Sequence, residues 1–260
     1  MQVEKKCKII EKKMLTPYAV SFELAVGDMV KQSSGEFVHI RCGEGLLLRR
    51  PISVCTSATH PDGDRIRIVF EARGEGTAWL MARQEGESLD VLGLLGNEYA
   101  IEKKGRYLLV GGGIGIPPLL GVAERCYLTH GQKPTVILGF RSKDREMLLE
   151  EFSQSCQNIL IATDDGSSGY HGFVDAVLQE ELSKDSNYVG ILACGPSLML
   201  KNTVAVAEKY KISCQVSMEE RMGCGVGACL VCACDKKDGT RAHVCKDGPV
   251  FRGEEIDFGG

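Results

Sequence analysis

The 260-residue sequence predicts a β-barrel plus α/β architecture in three parts. These are an antiparallel β-barrel over residues 1–100, a doubly wound five-stranded parallel sheet over 101–218, and a small cysteine subdomain over 219–260. Three observations carry the prediction. The first hundred residues hold short segments of period-two alternation, and the middle of the chain alternates strand-like with helical runs. The tail crowds cysteines and glycines into "RMGCGVGACLVCAC" at 221–234.

In the first part, "YAVSFEL" places Tyr18, Val20, Phe22 and Leu24 on one face, and "RIRIVF" does the same for Ile66, Ile68 and Phe70. Gly, Asp and Pro separate such segments, and "GTAWLMARQ" is the one plausible helix; short strands broken in this way suit a small closed barrel. From about Arg106, "RYLLV", "KPTVILGF", "NILIAT", "YVGILAC" and "ISCQVSM" are β-rich. Four helical runs lie between them, which is the signature of a doubly wound parallel sheet. The charged segment "YAIEKKGR" marks the boundary between the two patterns. After about Glu219 the helical periodicity stops, and the remaining tail is too short to hold a core unaided. A metal centre would supply the missing organisation.

Composition removes several function classes. With 31 basic and 35 acidic residues, a net charge of −4 and no block of like charge, the chain carries no electrostatic footprint for nucleic acid. The start, "MQVEKKCKIIEKKML", lacks the apolar core of an export signal, and "LLVGGGIGIPPLLGVA" is too interrupted to span a membrane. Twelve cysteines are therefore expected in a reducing compartment, the cytoplasm, where clustered thiols bind metals more often than they form disulfides.

The spacing Cys224-x4-Cys229-x2-Cys232, with a more distant Cys245, fits the plant-type [2Fe–2S] arrangement. Gly223, Gly225 and Gly227 let the backbone wrap closely, with amide donors aimed at sulfur. The plainer alternative is a four-thiolate zinc site, but such sites usually carry a second C-x2-C knuckle, which Cys245 lacks. A Rieske centre would need two histidines, and only His243 lies in the segment. Cys234 leaves a second register open at Cys232. Cys7, Cys42, Cys55, Cys126, Cys156, Cys194 and Cys214 lie in or beside apolar runs and read mostly as core.

"LLVGGGIGIPPLL" sits where a strand hands over to a helix, the place where a parallel sheet presents a helix N-terminus to phosphate. Its glycines are Gly111, Gly112, Gly113 and Gly115. The dinucleotide fingerprint is incomplete, because the third glycine position falls on Ile116 and Arg141 stands where an acid would close the second strand. Pyridine-nucleotide binding of another style stays open beside a simple tight turn. Two further strand ends, "ATDDGSSG" and "ACGPS", bring Asp164, Asp165, Gly166, Cys194, Gly195 and Pro196 to the same edge. In the barrel, "LLLRRPISV" offers Arg50 for a pyrophosphate, and "RGEGTAWL" offers the amides of Gly76 and Thr77. Trp79 and the histidines, His39 included, read as packing or surface groups.

The order of a barrel with "RPIS" and "GEGT", a sheet with "GGGIGIPP" and "CGP", and a cysteine tail resembles the ferredoxin-reductase superfamily. More closely, "MEERMGCGVGACLVCAC" with the later "VCKDGPVF" is similar to the electron-transfer subunits of dihydroorotate dehydrogenase B, the NAD-dependent bacterial enzyme of pyrimidine synthesis. The resemblance implies FAD held by Arg50, Pro51, Ile52 and Ser53, with Ser53 near the reactive ring nitrogen. Val69, Phe70 and Glu71 would border the flavin, and Gly76 and Thr77 its pyrophosphate. Nicotinamide would enter between the glycine loop and Cys194-Gly195-Pro196. Asp164 and Asp165 would lie near the adenosine ribose, where two acids suit a free 2′-hydroxyl and so NAD over NADP.

The resemblance further implies a [2Fe–2S] cluster on Cys224, Cys229, Cys232 and Cys245, and an FMN-containing catalytic subunit as partner, two of each in a heterotetramer. A chain that moves electrons between cofactors needs no acid–base pair or nucleophile of its own, and no catalytic side chain is expected. The same module would also serve the flavin and iron–sulfur subunit of an electron-bifurcating ferredoxin:NAD(P) oxidoreductase or a sulfur-reducing hydrogenase. A zinc-stabilised nucleotide-binding regulator is the reading from a different class.

Overall fold

The computed structural model describes residues 3–28 and 34–259. Six strands form the N-terminal unit: β1 (Val3–Met14), β2 (Ala19–Gly27), β3 (Phe37–Arg41), β4 (Arg50–Ala58), β5 (Asp64–Glu71) and β6 (Ser88–Leu95). They close into an antiparallel barrel in the order β1-β2-β5-β4-β3-β6, so no strand edge is left open. The short helix α1 (Glu75–Met81) bridges β5 and β6.

The alternation read from the sequence sets the barrel interior. Val20, Phe22, Leu24, Ile66, Ile68 and Phe70 all lie in one buried cluster, and Phe22 meets Phe70 edge to face at 5.2 Å. Tyr18 departs from the pattern. It falls in the turn before β2, is 41% exposed, and stacks under the Arg145 guanidinium at 3.8 Å.

The central unit holds the five expected parallel strands, β7 (Tyr107–Gly112), β8 (Thr135–Phe140), β9 (Asn158–Thr163), β11 (Gly190–Cys194) and β12 (Cys214–Ser217). Between them run the helices α2 (Ile116–His130), α3 (Leu149–Ser155), α4 (Val174–Lys184) and α5 (Ser197–Tyr210). Two short strands extend the sheet to seven: β10 (Tyr170–His171) beside β9, and β15 (Val250–Arg252) antiparallel to β12. The order β10-β9-β8-β7-β11-β12-β15 reverses direction between β7 and β11, which makes that crevice the switch point of the sheet. Both faces are covered. Leu108, Val110, Ile137 and Ile191 share a cluster with α4 and α5, and Leu109, Val136, Leu138 and Leu192 share one with α2 and α3. Strands buried on two faces read as unbroken apolar runs, as "YLLV" and "ILAC" do.

The cysteine tail is tied into the rest of the molecule. Beyond the hairpin β13 (Ala233–Asp235) and β14 (Arg241–His243), the chain enters the sheet as β15. Cys232, Cys234, Val244, Cys245 and Phe251 share one apolar cluster with Phe37 and Leu95 of the barrel and Val216 of β12. The linker after β6 stitches all three parts. Asn97 Nδ2 donates to the carbonyls of Asp247 at 2.9 Å and Val250 at 3.1 Å, and the Val250 amide donates to Asn97 Oδ1 at 3.0 Å. The buried Tyr99 hydroxyl donates to the Ala193 carbonyl at 2.7 Å, one residue before Cys194. No helix among the described residues is long and apolar enough to cross a membrane.

Tyr99→Phe removes that hydrogen bond without changing shape. It is expected to lower stability by about 1 kcal/mol, read as a lower denaturation midpoint with an unchanged denaturant slope.

Candidate functional site

The cysteine loop is built around main-chain donors. The amide of Cys224 donates to Cys229 Sγ at 3.3 Å, and those of Val226 and Ala228 donate to Cys224 Sγ at 3.4 and 3.3 Å. The Gly227 amide reaches across to Cys245 Sγ at 3.1 Å, and the Cys245 amide donates to Cys232 Sγ at 3.4 Å. Gly225 and Gly227 have φ of +74° and +79°, the left-handed region that aims successive amides inward. Burial pushes the Cys224 thiol up, but the Val226 and Ala228 amides outweigh it and bring it down to about 6. Burial and the neighbouring Cys232 thiol push Cys245 up to about 12.

Among the described residues, no three His, Cys, Asp or Glu side chains are gathered as a preformed metal-holding group. The thiols instead stand in two pairs, Cys224 with Cys229 and Cys232 with Cys245, and the Gly227 amide reaches from the loop of the first pair to Cys245 of the second. Four sulfurs supplied with five amide donors fit a thiolate-ligated iron–sulfur centre, whose sulfurs need hydrogen bonds when shielded from water. Cys234 lies on β13, opposite Ala242, and burial raises its thiol.

This loop lies against the barrel at β3. In register, Phe37 faces Ser53 and His39 faces Pro51, so these four side chains share the outer face of the β3–β4 pair while Val38 and Ile40 enter the barrel core. His39 is 0% exposed, and neither ring nitrogen has a partner at hydrogen-bonding geometry among the described residues. Burial first, and then the charge of Arg49, push its imidazole down to about 4. A methyl on Gly225 would stand 2.5 Å from His39 Nδ1, so the loop backbone touches the ring. The sequence reading of His39 as a packing or surface group holds as packing, but it did not say what the ring packs against. The alternation in "FVHIR" does place His39 opposite to Val38 and Ile40, but nothing local says what covers the outer face.

The two arginines before Pro51 differ. Arg49 is committed to the barrel, with Nη2 at 2.8 Å from both Glu4 and Asp90. Arg50 donates to the main-chain carbonyls of Leu48 and Arg49 and has no carboxylate partner among the described residues, so its charge is available to a ligand. Gly76 permits this, because a Cβ there would meet Arg50 Nε at 2.4 Å. Thr77 Oγ1 accepts from the amides of Arg73 at 2.8 Å and Gly74 at 3.2 Å, shaping the turn before α1. Pro51 and Ser53 face outward, whereas Ile52 and Phe70 belong to the barrel core, so a flavin along this face would meet only their main chain. Val69 faces the α2 side, and Glu71 lies 3.6 Å from both Arg73 and Arg145.

At the switch point the glycine loop and the Cys194 loop are in direct contact. A Cβ on Gly115 would come within 2.6 Å of the Cys194 and Gly195 main chain, and one on Gly112 within 2.5 Å of Met199 Sδ and 3.1 Å of Pro196. Gly113 takes φ +53°, and Pro117 and Pro118 open α2 where amide donors are dispensable. The Cys194 thiol is buried and pushed up to about 12. Asp164 and Asp165 are both exposed beyond β9. Asp165 is occupied by its own turn, accepting from the Ser167 amide at 2.9 Å and hydroxyl at 2.6 Å. Asp164 is exposed next to it at the end of β9.

Residues 219–257 match the family model for the iron–sulfur cluster binding domain of dihydroorotate dehydrogenase B, and 109–205 match the oxidoreductase NAD-binding domain. The dihydroorotate dehydrogenase B (NAD(+)) electron transfer subunit of Bacillus pumilus is 42% identical over 240 residues, 88% of this chain and 89% of that protein. The chain belongs to this family. The electron transfer subunit of Geobacillus thermodenitrificans is 40% identical over 259 residues, 95% of this chain and 96% of its own length. Among solved structures, an NADH-dependent reduced ferredoxin-NADP oxidoreductase superposes with a TM-score of 0.86 at 32% identity, covering 98% of this chain and 90% of that one. The ferredoxin reductase of carbazole 1,9a-dioxygenase, at 19% identity and a TM-score of 0.71, shows the shared fold.

For a member of the electron transfer subunit family, the tight fit at Gly115 gives a direct check. Gly115→Ala must push the two loops apart at a cost of about 1–3 kcal/mol. That cost is expected as a lower denaturation midpoint, and calorimetric titration is expected to show weaker NADH binding at the displaced loops, with the cysteine loop unaffected.

Proposed function

We propose that this chain carries electrons from the FMN of a dihydroorotate-oxidising partner subunit, through a [2Fe–2S] cluster and FAD, to NAD⁺ in pyrimidine synthesis. The assembly holds two copies of each subunit in the cytoplasm. The observation that carries the reading is the contact of the amide-lined cysteine loop with the barrel face that bears Pro51 and Ser53, on the strand that begins at Arg50. Nicotinamide transfers a hydride and an iron–sulfur cluster takes single electrons, so a flavin between them supplies the conversion.

The chain binds and orients these groups. Cys224, Cys229, Cys232 and Cys245 hold the cluster. Arg50 takes the FAD pyrophosphate with the amides of Gly76 and Thr77, and Ser53 stands at the flavin face with Pro51, flanked by Val69 and Glu71 and the main chain of Ile52 and Phe70. Gly111, Gly112, Gly113 and Gly115 with Cys194, Gly195 and Pro196 form the floor for nicotinamide, and Asp164 receives the ribose hydroxyl, with Asp165 fixing the turn. A thiol as weakly acidic as that of Cys194 stays protonated at neutral pH and presents no charge to the ring. All described cysteines are free, as suits a reducing compartment.

The partner is expected at the cluster loop, where Cys229 is exposed and Leu230 and Val231 are 63% and 54% exposed. Exposed apolar residues beside a cofactor loop suit a subunit contact. The likeness to the ferredoxin-NADP oxidoreductase structure favours a second reading, in which the same module serves a different electron partner.

Anaerobic capture of the tagged chain from its own cells, followed by addition of dihydroorotate and NAD⁺, separates the two. Co-purification of an FMN subunit with NADH formation is expected. A coloured, NADH-oxidising chain without dihydroorotate activity would retain the module and reject the partner. In the same preparation, Cys229→Ser is expected to abolish the iron–sulfur absorbance and electron paramagnetic signal while FAD and NADH:ferricyanide activity persist. Leu230→Asp is expected to weaken capture of the FMN subunit by roughly tenfold or more, as for loss of an interface anchor, with both cofactor spectra unchanged.

A further inference from the structure

We propose that His39 is the positioning residue that fixes the cluster loop onto the flavin-bearing face of the barrel, and so sets how the two redox sites communicate. The inference rests on the cofactor assignment above and adds a residue that this assignment does not use.

Four observations converge on it. His39 shares one outer sheet face with Pro51 and Ser53, so it stands beside the surface assigned to the flavin. Its ring touches the cluster loop from the other side, at Gly225, next to the cluster ligand Cys224. Gly225 has no room for a side chain against this ring, and its φ of +74° keeps the loop in the conformation that brings it there. The ring is wholly buried with both nitrogens unpartnered among the described residues, while the main chains of Arg49, from the flavin strand side, and Cys224, from the cluster side, lie close enough to influence it.

Burying an unpartnered polar group is destabilising, and a leucine at this position would fill the same volume without that cost. An imidazole kept there in place of an apolar side chain is explained by a hydrogen bond to the cluster loop, completed when the loop closes around its cluster. Hydrogen bonds from outside the ligand set orient metal ligands and tune their chemistry. The ring also excludes water from the seam between the two sites, which strengthens every electrostatic interaction across it.

The test compares wild type, His39→Leu and His39→Asn in the full chain loaded with FAD and cluster. The readouts are iron content, the electron paramagnetic g-values and midpoint potential of the cluster, the midpoint potential of the flavin, and the rate of cluster reduction after mixing with NADH. In His39→Leu, cluster reduction is expected to slow by roughly tenfold or more, with shifted g-values and cluster potential and an unmoved flavin potential. His39→Asn, which keeps a side-chain donor, is expected to recover towards wild type. Iron lost from the Leu variant but kept in the Asn variant is the same result in a stronger form. Unchanged cluster properties in His39→Leu overturn the proposal, and so does equal disturbance of flavin and cluster in both variants, which marks a general loosening of the barrel. Wild-type protein that takes FAD but shows no iron–sulfur signal overturns the cofactor assignment itself, a failure distinct from that of the His39 role.

Discussion

Sulfur is a weak hydrogen-bond acceptor, and four thiolates gathered away from water repel one another unless donors are set around them. The main-chain amides of Cys224, Val226, Gly227, Ala228 and Cys245 meet that requirement, and most of the C-terminal architecture follows from it. Amides can converge on a small volume only if the chain turns sharply, which is why Gly225 and Gly227 take left-handed conformations. A loop so curved encloses no core of its own, and it gains rigidity by leaning on an existing surface. The surface it uses is the outer face of β3 and β4.

That choice gives the barrel two jobs. Its interior is an ordinary closed core of alternating side chains, and its outer β3–β4 face is divided between a flank that bears Pro51 and Ser53 and a flank capped by the cysteine loop. The parallel sheet joins the same arrangement through the linker at Asn97 and Tyr99, whose hydrogen bonds reach both the tail and the strand that ends at Cys194. Electron transfer between cofactors needs fixed separations more than reactive side chains, and each of these contacts removes a degree of freedom between the parts.

The elements legible in the sequence were those governed by local periodicity. Strands β2 and β5, the five parallel strands and their four helices follow from alternation and apolar runs, and the cysteine spacing marks the metal centre through the chemistry of thiolates alone. Tyr18 was misplaced because alternation continues into a turn where the backbone no longer alternates. Strand β15 was invisible, since a three-residue strand has no period to read and is defined by its partner β12. The distinctions between Arg49 and Arg50, and between Asp164 and Asp165, depend on which side chain finds a partner through space. His39 is the clearest case. Its neighbours in sequence explain why it faces out of the barrel, while its burial is the work of a loop nearly two hundred residues away.

The pairing of β15 with β12 also ties the tail to the sheet. Val250–Arg252 follows Cys245 by only a few residues, so the strand that seals the sheet edge also fixes where that thiol stands. Any displacement of the tail therefore reopens the edge at β12 and moves Cys245 with it.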